Sequence, residues 1–293
     1  TYWGVDIDPL AVQLARINLA RVAPGAGFVG QQDALRIRPG TPLQTRPLPV
    51  PDRVVGNLPF VRLHRLPRET RAAATDLTAR WAARDPGLGA RLSGHADLYV
   101  LLWLHLADVL PAGARLALIT SQAWLDGAYG ASLRRLLARH FQLHAVVESR
   151  REPWFPDAAI NTVVTAATRG APDHDTRCRF ISLDTPLPPT PRAELPPGRA
   201  VSQVSLARST GDQGWAETLR APDTYRALQA ALDLPPAGQW LSVHRGVTTN
   251  WNPFFYPPAD AGIEAAYLVP VLRSPQDTRT VAVAVDDLPH RLF

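Results

Sequence analysis

Residues 96–120, ADLYVLLWLHLADVLPAGARLALIT, set two elements of different period back to back. Ala96 to Leu110 is apolar almost all round, as a helix buried in a core must be, and Pro111 with Gly113 stops it. Arg115 to Thr120 (RLALIT) then runs apolar without interruption, the pattern of a strand buried on both faces. The same alternation extends outward. Upstream, Thr1 to Asp8 is β-prone, Pro9 opens a helix carrying Leu10, Leu14, Ile17 and Leu19, and Phe28 to Leu35 and Arg53 to Gly56 read as strands. A proline-rich loop, Pro39 to Pro51, separates those two strands, and Glu69 to Arg84 is an Ala- and Arg-rich helix. Downstream, Ser132 to Phe141 reads as a helix, and Leu143 to Glu148 and Asn161 to Ala167 read as strands. Connections this long between strands predict an α/β fold over residues 1–170, with a mostly parallel sheet covered on both faces.

The composition narrows the classes. Of 293 residues, 46% are hydrophobic and 19% charged, enough apolar surface to offset the entropy of ordering the chain. All 31 basic residues are Arg; against 26 acids they leave a net charge of +5 and a pI near 10.0. Arg presents a planar fork to phosphate, so a polyanionic partner is one reading, and GC-rich coding bias is the other. Cys178 is the single cysteine, which excludes an intrachain disulfide and a cysteine zinc site and makes a reducing cytoplasm the expected compartment. The most apolar stretch, Leu98 to Leu110, is broken by His105 and Asp108 and is shorter than the ~20 residues of a membrane span, so no membrane partner is expected. The eight histidines show no ligand spacing, and no metal is expected. Methionine is absent and the chain opens inside a strand, which reads as a fragment with sequence ahead of Thr1.

Six prolines between Pro186 and Gly198 predict an extended connector. The expected organisation is therefore a first domain at 1–170, a Pro-rich connector at 171–235, and the start of a β-rich module at 236–293, with Leu268 to Leu272 and Val281 to Val285 as strands.

Three polar positions fall at the ends of predicted strands, where doubly wound sheets bind ligands. Gly4-Val5-Asp6-Ile7-Asp8 offers Asp6 to ribose hydroxyls, while Asp8 suits the cap of the helix starting at Pro9. In Gln31-Gln32-Asp33-Ala34-Leu35, Asp33 is either an acceptor for an adenine amine or the pivot of an Asx-turn. The third is Gly56-Asn57-Leu58-Pro59-Phe60. The Asn57 side-chain carbonyl and the Leu58 backbone carbonyl can accept hydrogen bonds from one exocyclic amine, and Phe60 offers a stacking face. By contrast, Gly25-Ala26-Gly27-Phe28-Val29-Gly30 matches G-x-G-x-x-G but follows a helix and enters a strand, the wrong order for a phosphate turn.

In this order, GVDIDP, QQDAL, GNLPFVR, ADLYVLLWLHLADVLPAGARLALITSQAWL and WFPDAAINTVV resemble the class I S-adenosylmethionine-dependent methyltransferases that modify a planar amine, with the signature Asn-Pro-Pro-Tyr or Phe. The resemblance covers about residues 1–170 and is to bacterial DNA adenine methyltransferases of the type IIG and BREX kind. It implies a Rossmann-like methyltransferase sheet, incomplete at its N-terminus because the glycine-rich cofactor motif and its strand are missing ahead of Thr1. It implies S-adenosylmethionine as cofactor, with Asp6 on the ribose, Ile7 against the adenine and Asp33, followed by Ala34, on the adenine amine. Asn57 and Leu58 would hold the target amine, Pro59 would shape the loop, and Phe60 with Phe155 would pack on a base flipped out of double-stranded DNA. Arg62, Arg65, Arg68 and Arg71 recur every third residue and would cluster on a helix, either as a phosphate clamp or as a solvated face. Residues 240–256 (WLSVHRGVTTNWNPFFY) resemble the opening of a target-recognition module, with an ordinary β-rich interaction domain as the alternative. Leu58 departs from the signature proline. A nuclease domain or subunit outside the chain also fits the family. The expected function is site-specific DNA adenine-N6 methylation in a restriction-modification or phage-defence system, negligible for this piece alone. The alternatives are an RNA or protein-glutamine methyltransferase and a non-catalytic DNA-binding methyltransferase fold.

Overall fold

The computed structural model describes residues 1–43, 46–89, 97–151, 154–155, 160–173, 176–187, 199–205, 214–221, 223–232, 237–242, 249, 251–258, 260–280, 283–288 and 290–292. Two compact units make up the chain, Thr1–Ala227 and Leu228–Phe293.

The first unit opens with β1 (Tyr2–Asp6), α1 (Pro9–Val22) and β2 (Gly27–Gln31), the strands pairing in parallel. Asp8 caps α1 by accepting from the Leu10 amide at 2.8 Å, with Pro9 in the first helical position where no amide proton is needed. Gly25, at φ 72°, makes the turn from α1 into β2, and Gly27 and Gly30 lie in β2 itself, so the glycine triplet builds a helix-to-strand connection. The expected strand Phe28 to Leu35 ends at Gln31, because Asp33 caps a 3-10 turn at Ala34–Arg36. The expected Pro39 to Pro51 loop contains a small antiparallel pair, β3 (Pro42–Leu43) and β4 (Arg46–Pro47).

β5 (Arg53–Asn57), α2 (Arg68–Arg84), α3 (Pro86–Gly89), α4 (Leu98–Val109), β6 (Arg115–Ser121), α5 (Gly130–His140), β7 (Phe141–Ser149), β8 (Thr162–Arg169), β9 (Arg177–Leu183) and β10 (Arg199–Ser205) follow. The fold is mixed α/β around a six-stranded sheet of order β10-β9-β7-β8-β6-β5. α6 (Ala216–Arg220) closes the unit, and α7 (Asp223–Ala231) spans its boundary.

Three expectations are corrected. The sheet is mixed: β5/β6 and β7/β9 are parallel, while β6/β8, β7/β8 and β9/β10 are antiparallel. No helix is described between β7 and β8, so β8 returns antiparallel, between β6 and β7. Among the described residues of the first unit, helices pack on one face of the sheet. Trp81 of α2, Trp103 of α4, Leu133 of α5 and Leu219 of α6 all enter the core on one face with Leu118, Val146 and Phe180 of the sheet. The other face carries the small cluster Ala145, Val147, Ile181 and Leu183 under Trp154, and Val55 of β5 is 82% exposed. Finally, the expected connector at 171–235 contains β9 and β10 of the central sheet. Arg177 to Leu183 alternates outward Arg with inward Cys178 and Phe180, so its apolar residues are placed to join the core. Most of the proline cluster lies outside the described residues.

In the second unit, β11 (Val269–Val271) pairs antiparallel with β12 (His290–Leu292), and α8 (Asn252–Phe255) is a single turn. Val285–Asp287 is a 3-10 turn where a strand was expected, while Val281 and Ala282 lie outside the described residues. Among the described residues, no helix is long and apolar enough to cross a membrane.

Candidate active site

The GNLPF segment sits at the carboxyl end of β5 beside β6. Asn57 is the last residue of the strand and is exposed. Leu58 continues the pairing by one bond, its amide donating to the Ile119 carbonyl at 3.0 Å, and its side chain packs on the core. Phe60 meets two rings edge-on, Tyr99 at 6.5 Å and 84° and Phe155 at 6.4 Å and 78°. Such edge contacts orient a ring beyond what simple burial does.

Behind Phe60 lies a polar group that the linear reading missed. Val61 accepts from the Leu98 amide at 2.8 Å, and Arg62 forms an antiparallel bridge with Asp97, clamping the segment to the start of α4. The buried Asp97 carboxylate faces Arg62 Nε at 3.2 Å and accepts from the Tyr129 hydroxyl at 3.1 Å; that hydroxyl lies 3.0 Å from Tyr99 Oη. Burial, then the bond to Tyr129, raises the Tyr99 phenol far above its ordinary range, and burial also raises Tyr129, so both stay protonated. Tyr129 lies 32 positions from Asp97 and 30 from Tyr99, and no shared local signature links it to them or to the GNLPF segment.

A second concavity, of about 230 Å³, is lined by Ile7, Gln31, Gln32, Asp33, Arg36, Pro67, Glu69 and Thr70. Ile7 is 55% exposed and presents an apolar wall. Asp33 accepts from the Leu35 amide at 2.9 Å and from Thr70 Oγ1 at 3.1 Å, and Arg36 Nε is 3.9 Å away. Asp33 is thus the pivot of a turn and also a pocket carboxylate; two such bonds leave lone pairs for a further donor. Ala34 packs against the core and does not line this space. Asp6 also lies outside the lining; one of its oxygens accepts from the Asp8 amide at 2.9 Å.

The four arginines do not share one helix. Arg62 precedes a 3-10 turn ending at Arg65, Leu66 and Pro67 are extended, and α2 starts at Arg68. Pro67 interrupts the pattern because its ring bars Leu66 from helical backbone. Arg68 and Arg71 share the first turn of α2, and all four are exposed. In residues 240–256, Trp240, Trp251 and Phe254 are exposed, with Trp251 and Phe254 stacked at 6.0 Å; Arg245 and Gly246 lie outside the described residues. Among the described residues, no group of three or more His, Cys, Asp or Glu is arranged to hold a metal ion.

Comparison with known proteins bears on this arrangement. Residues 52–155, which include the GNLPF segment, α4, β6 and Phe155, match the sequence model of the Eco57I restriction-modification methylase family. The type II methyltransferase M.XamI of Xanthomonas campestris pv. amaranthicola is 28% identical over 254 residues, covering 85% of this chain and 43% of that protein. M.XhoI of Xanthomonas vasicola is 37% identical over 97 residues, 33% of this chain and 16% of the relative. The chain thus spans less than half the length of the curated relatives it matches. Among solved structures, the type IIG restriction endonuclease BpuSI superposes with a TM-score of 0.55 at 16% identity, over 99% of this chain and 36% of that one, a likeness of fold. The chain is thus similar over residues 52–155 to the Eco57I restriction-modification methylase family, similar in sequence to type II methyltransferases, and alike in fold to a type IIG restriction endonuclease.

Proposed function

We propose that the protein transfers a methyl group from S-adenosylmethionine to the amine of an adenine flipped out of double-stranded DNA, as the modification activity of a bacterial restriction-modification system. The observation that carries this reading is the GNLPF segment at a sheet edge, with an exposed Asn57 and a Phe60 ring held edge-on by Tyr99 and Phe155. The Asn57 side-chain carbonyl and the Leu58 backbone carbonyl accept hydrogen bonds from the two amine N–H groups and draw the nitrogen toward a pyramidal, more nucleophilic geometry; as the N–CH3 bond forms, the S–CH3 bond would break to leave S-adenosylhomocysteine, and the amine would lose one proton to solvent. Phe60 and Phe155 stack on the extruded base, each such contact contributing ~1–3 kcal/mol against the few kcal/mol that flipping costs.

The pocket at the ends of β1 and β2 fits an adenosyl group by its donor set: Ile7 supplies an apolar wall and Asp33 an acceptor for a ring amine. Asp6, at the end of β1, is assigned the ribose hydroxyls, and Ala34 flanks Asp33 on the same turn. S-adenosylmethionine would supply an electrophilic methyl group. Arg65 and Arg68, with Arg62 and Arg71, are assigned to the DNA phosphates near the flipped base. A cytoplasmic location and a nuclease partner follow from the same reading.

The test incubates the protein, as encoded, with labelled S-adenosylmethionine and duplex DNA carrying adenine or N6-methyladenine. Transfer confined to adenine, reduced about 10²- to 10³-fold in Asn57→Ala with DNA binding retained, is the expected result. DNA binding without transfer by the wild type would point instead to a non-catalytic methyltransferase fold. Transfer to RNA or glutamine in preference to DNA would overturn the substrate assignment.

A further inference from the structure

Asp97 occupies the cap position of α4 yet makes no side-chain capping bond there. Its oxygens instead face Arg62 and Tyr129, one residue flanking the GNLPF segment and the other lying 32 positions on in sequence. Tyr129 has one hydroxyl proton. Because the buried carboxylate takes it, only the lone pairs of Tyr129 face Tyr99, and Tyr99 must donate. The Tyr99 ring then meets Phe60 edge to face, and Arg62 lies over the Tyr129 ring at 5.6 Å. Two connections therefore link Asp97 to Phe60. One is the backbone clamp of Val61 and Arg62 on Asp97 and Leu98. The other runs from carboxylate to phenol to phenol to ring. Asp97 and Tyr99 are almost wholly buried, so water does not compete for these bonds.

We infer that Asp97, Tyr129 and Tyr99 form a positioning relay that sets the plane and depth of the Phe60 ring and, through Arg62, the path of the catalytic loop. This rests on the methyltransferase reading above, in which Phe60 receives the target base. None of the three touches the reacting atoms; they act through Phe60. A displacement of the stacking ring misaligns the amine with the methyl donor, so the relay governs the rate of transfer rather than the affinity for either substrate.

The experiment uses the protein as encoded, with 4-fluorophenylalanine at position 60, in wild type, Tyr129→Phe, Tyr99→Phe and the double variant. The first readout is the fluorine resonance of the ring; the second is transfer to duplex DNA with both substrates saturating. Tyr129→Phe is expected to shift and broaden the resonance and to slow turnover about 10- to 100-fold with KM values little changed. The double variant is expected to be no slower than Tyr129→Phe alone, since one missing link already breaks the relay. An unchanged ring resonance in Tyr129→Phe overturns the inference, as do additive losses in the double variant or a loss confined to KM. If Tyr129→Phe folds poorly, Tyr99→Phe removes only the last hydroxyl and carries the same test. A wild type without methyl transfer, but with a ring resonance that responds to Tyr129→Phe, would refute the methyltransferase reading and leave the relay standing.

Discussion

Leu58 stands where the related signature has proline, and its backbone shows what replaces the proline's stiffness. A proline would fix φ, but it has no amide proton to give the Ile119 carbonyl. Leu58→Pro is accordingly expected to destabilise the protein by about 1 kcal/mol, read from the urea midpoint, despite restoring the related sequence. A gain in stability would mean that the bond to Ile119 contributes little. At this scale the GNLPF segment was legible because the side-chain carbonyl, the backbone carbonyl and the ring are contiguous in the chain. Tyr129 was not legible: nothing in Asp126 to Ala131 signals that its hydroxyl reaches a carboxylate at position 97.

Among the elements, α4 carries a titration into the core. Burial, with the positive charge of Arg38 nearby, pushes the His105 imidazole down to about 4, so the folded protein holds it neutral. An unfolded chain takes up that proton near pH 6.5. The stabilising preference for the neutral ring is therefore complete above that pH and is lost progressively as pH falls from about 6.5 toward 4. His140, lowered by burial and by Arg169, adds a slope of the same sign. Thermal midpoints measured from pH 7 to pH 4 should fall less steeply in His105→Leu than in wild type; parallel curves would contradict this assignment. Asp108 behaves differently. Although burial opposes ionisation, Arg84 and Arg38 bind its carboxylate and lower it below the ordinary range, so its contribution is lost only at more acid pH.

The arginines flanking the extended Leu66 and Pro67 make a separate prediction. Replacing Arg65 and Arg68 by Ala should reduce the slope of log affinity against log salt for DNA by about one for each phosphate that the arginine neutralises. An unaltered slope would mark both as solvated surface. The element pattern was legible wherever period and punctuation agree, as in α2, α4 and β6. The strand β9 carried its signal in the alternation of Arg177 to Leu183, outweighed in the linear reading by the prolines that follow. The direction of β8 was not legible, since the antiparallel return depends on pairing with β6 and β7 on both sides.

At the scale of the whole molecule, the strand edges of β1 and β5 and one face of α1 stand without cover among the described residues. Among the described residues β1 pairs only with β2 and β5 only with β6, and Leu10, Leu14 and Ile17 of α1 are exposed. Unpaired strand edges beside apolar surface are templates for association. The isolated chain should therefore self-associate with rising concentration in light scattering, and Val55→Lys with Leu14→Lys should reduce it. Scattering unchanged by both substitutions would place the sticky surface elsewhere. The boundary between the two compact units, after Ala227, was not legible because a proline-rich stretch marks extended chain whether or not a sheet continues beyond it.

The insertion of β8 between β6 and β7 bears on how the chain assembles. The middle of the sheet has no partner to zip against until both flanking strands exist, and β5 must wait for β6 across the whole helical segment between them. Local helices form quickly and such distant pairings slowly, so refolding should be governed by closure of this one central strand. During synthesis the same closure is delayed until Arg169 has cleared the ribosome.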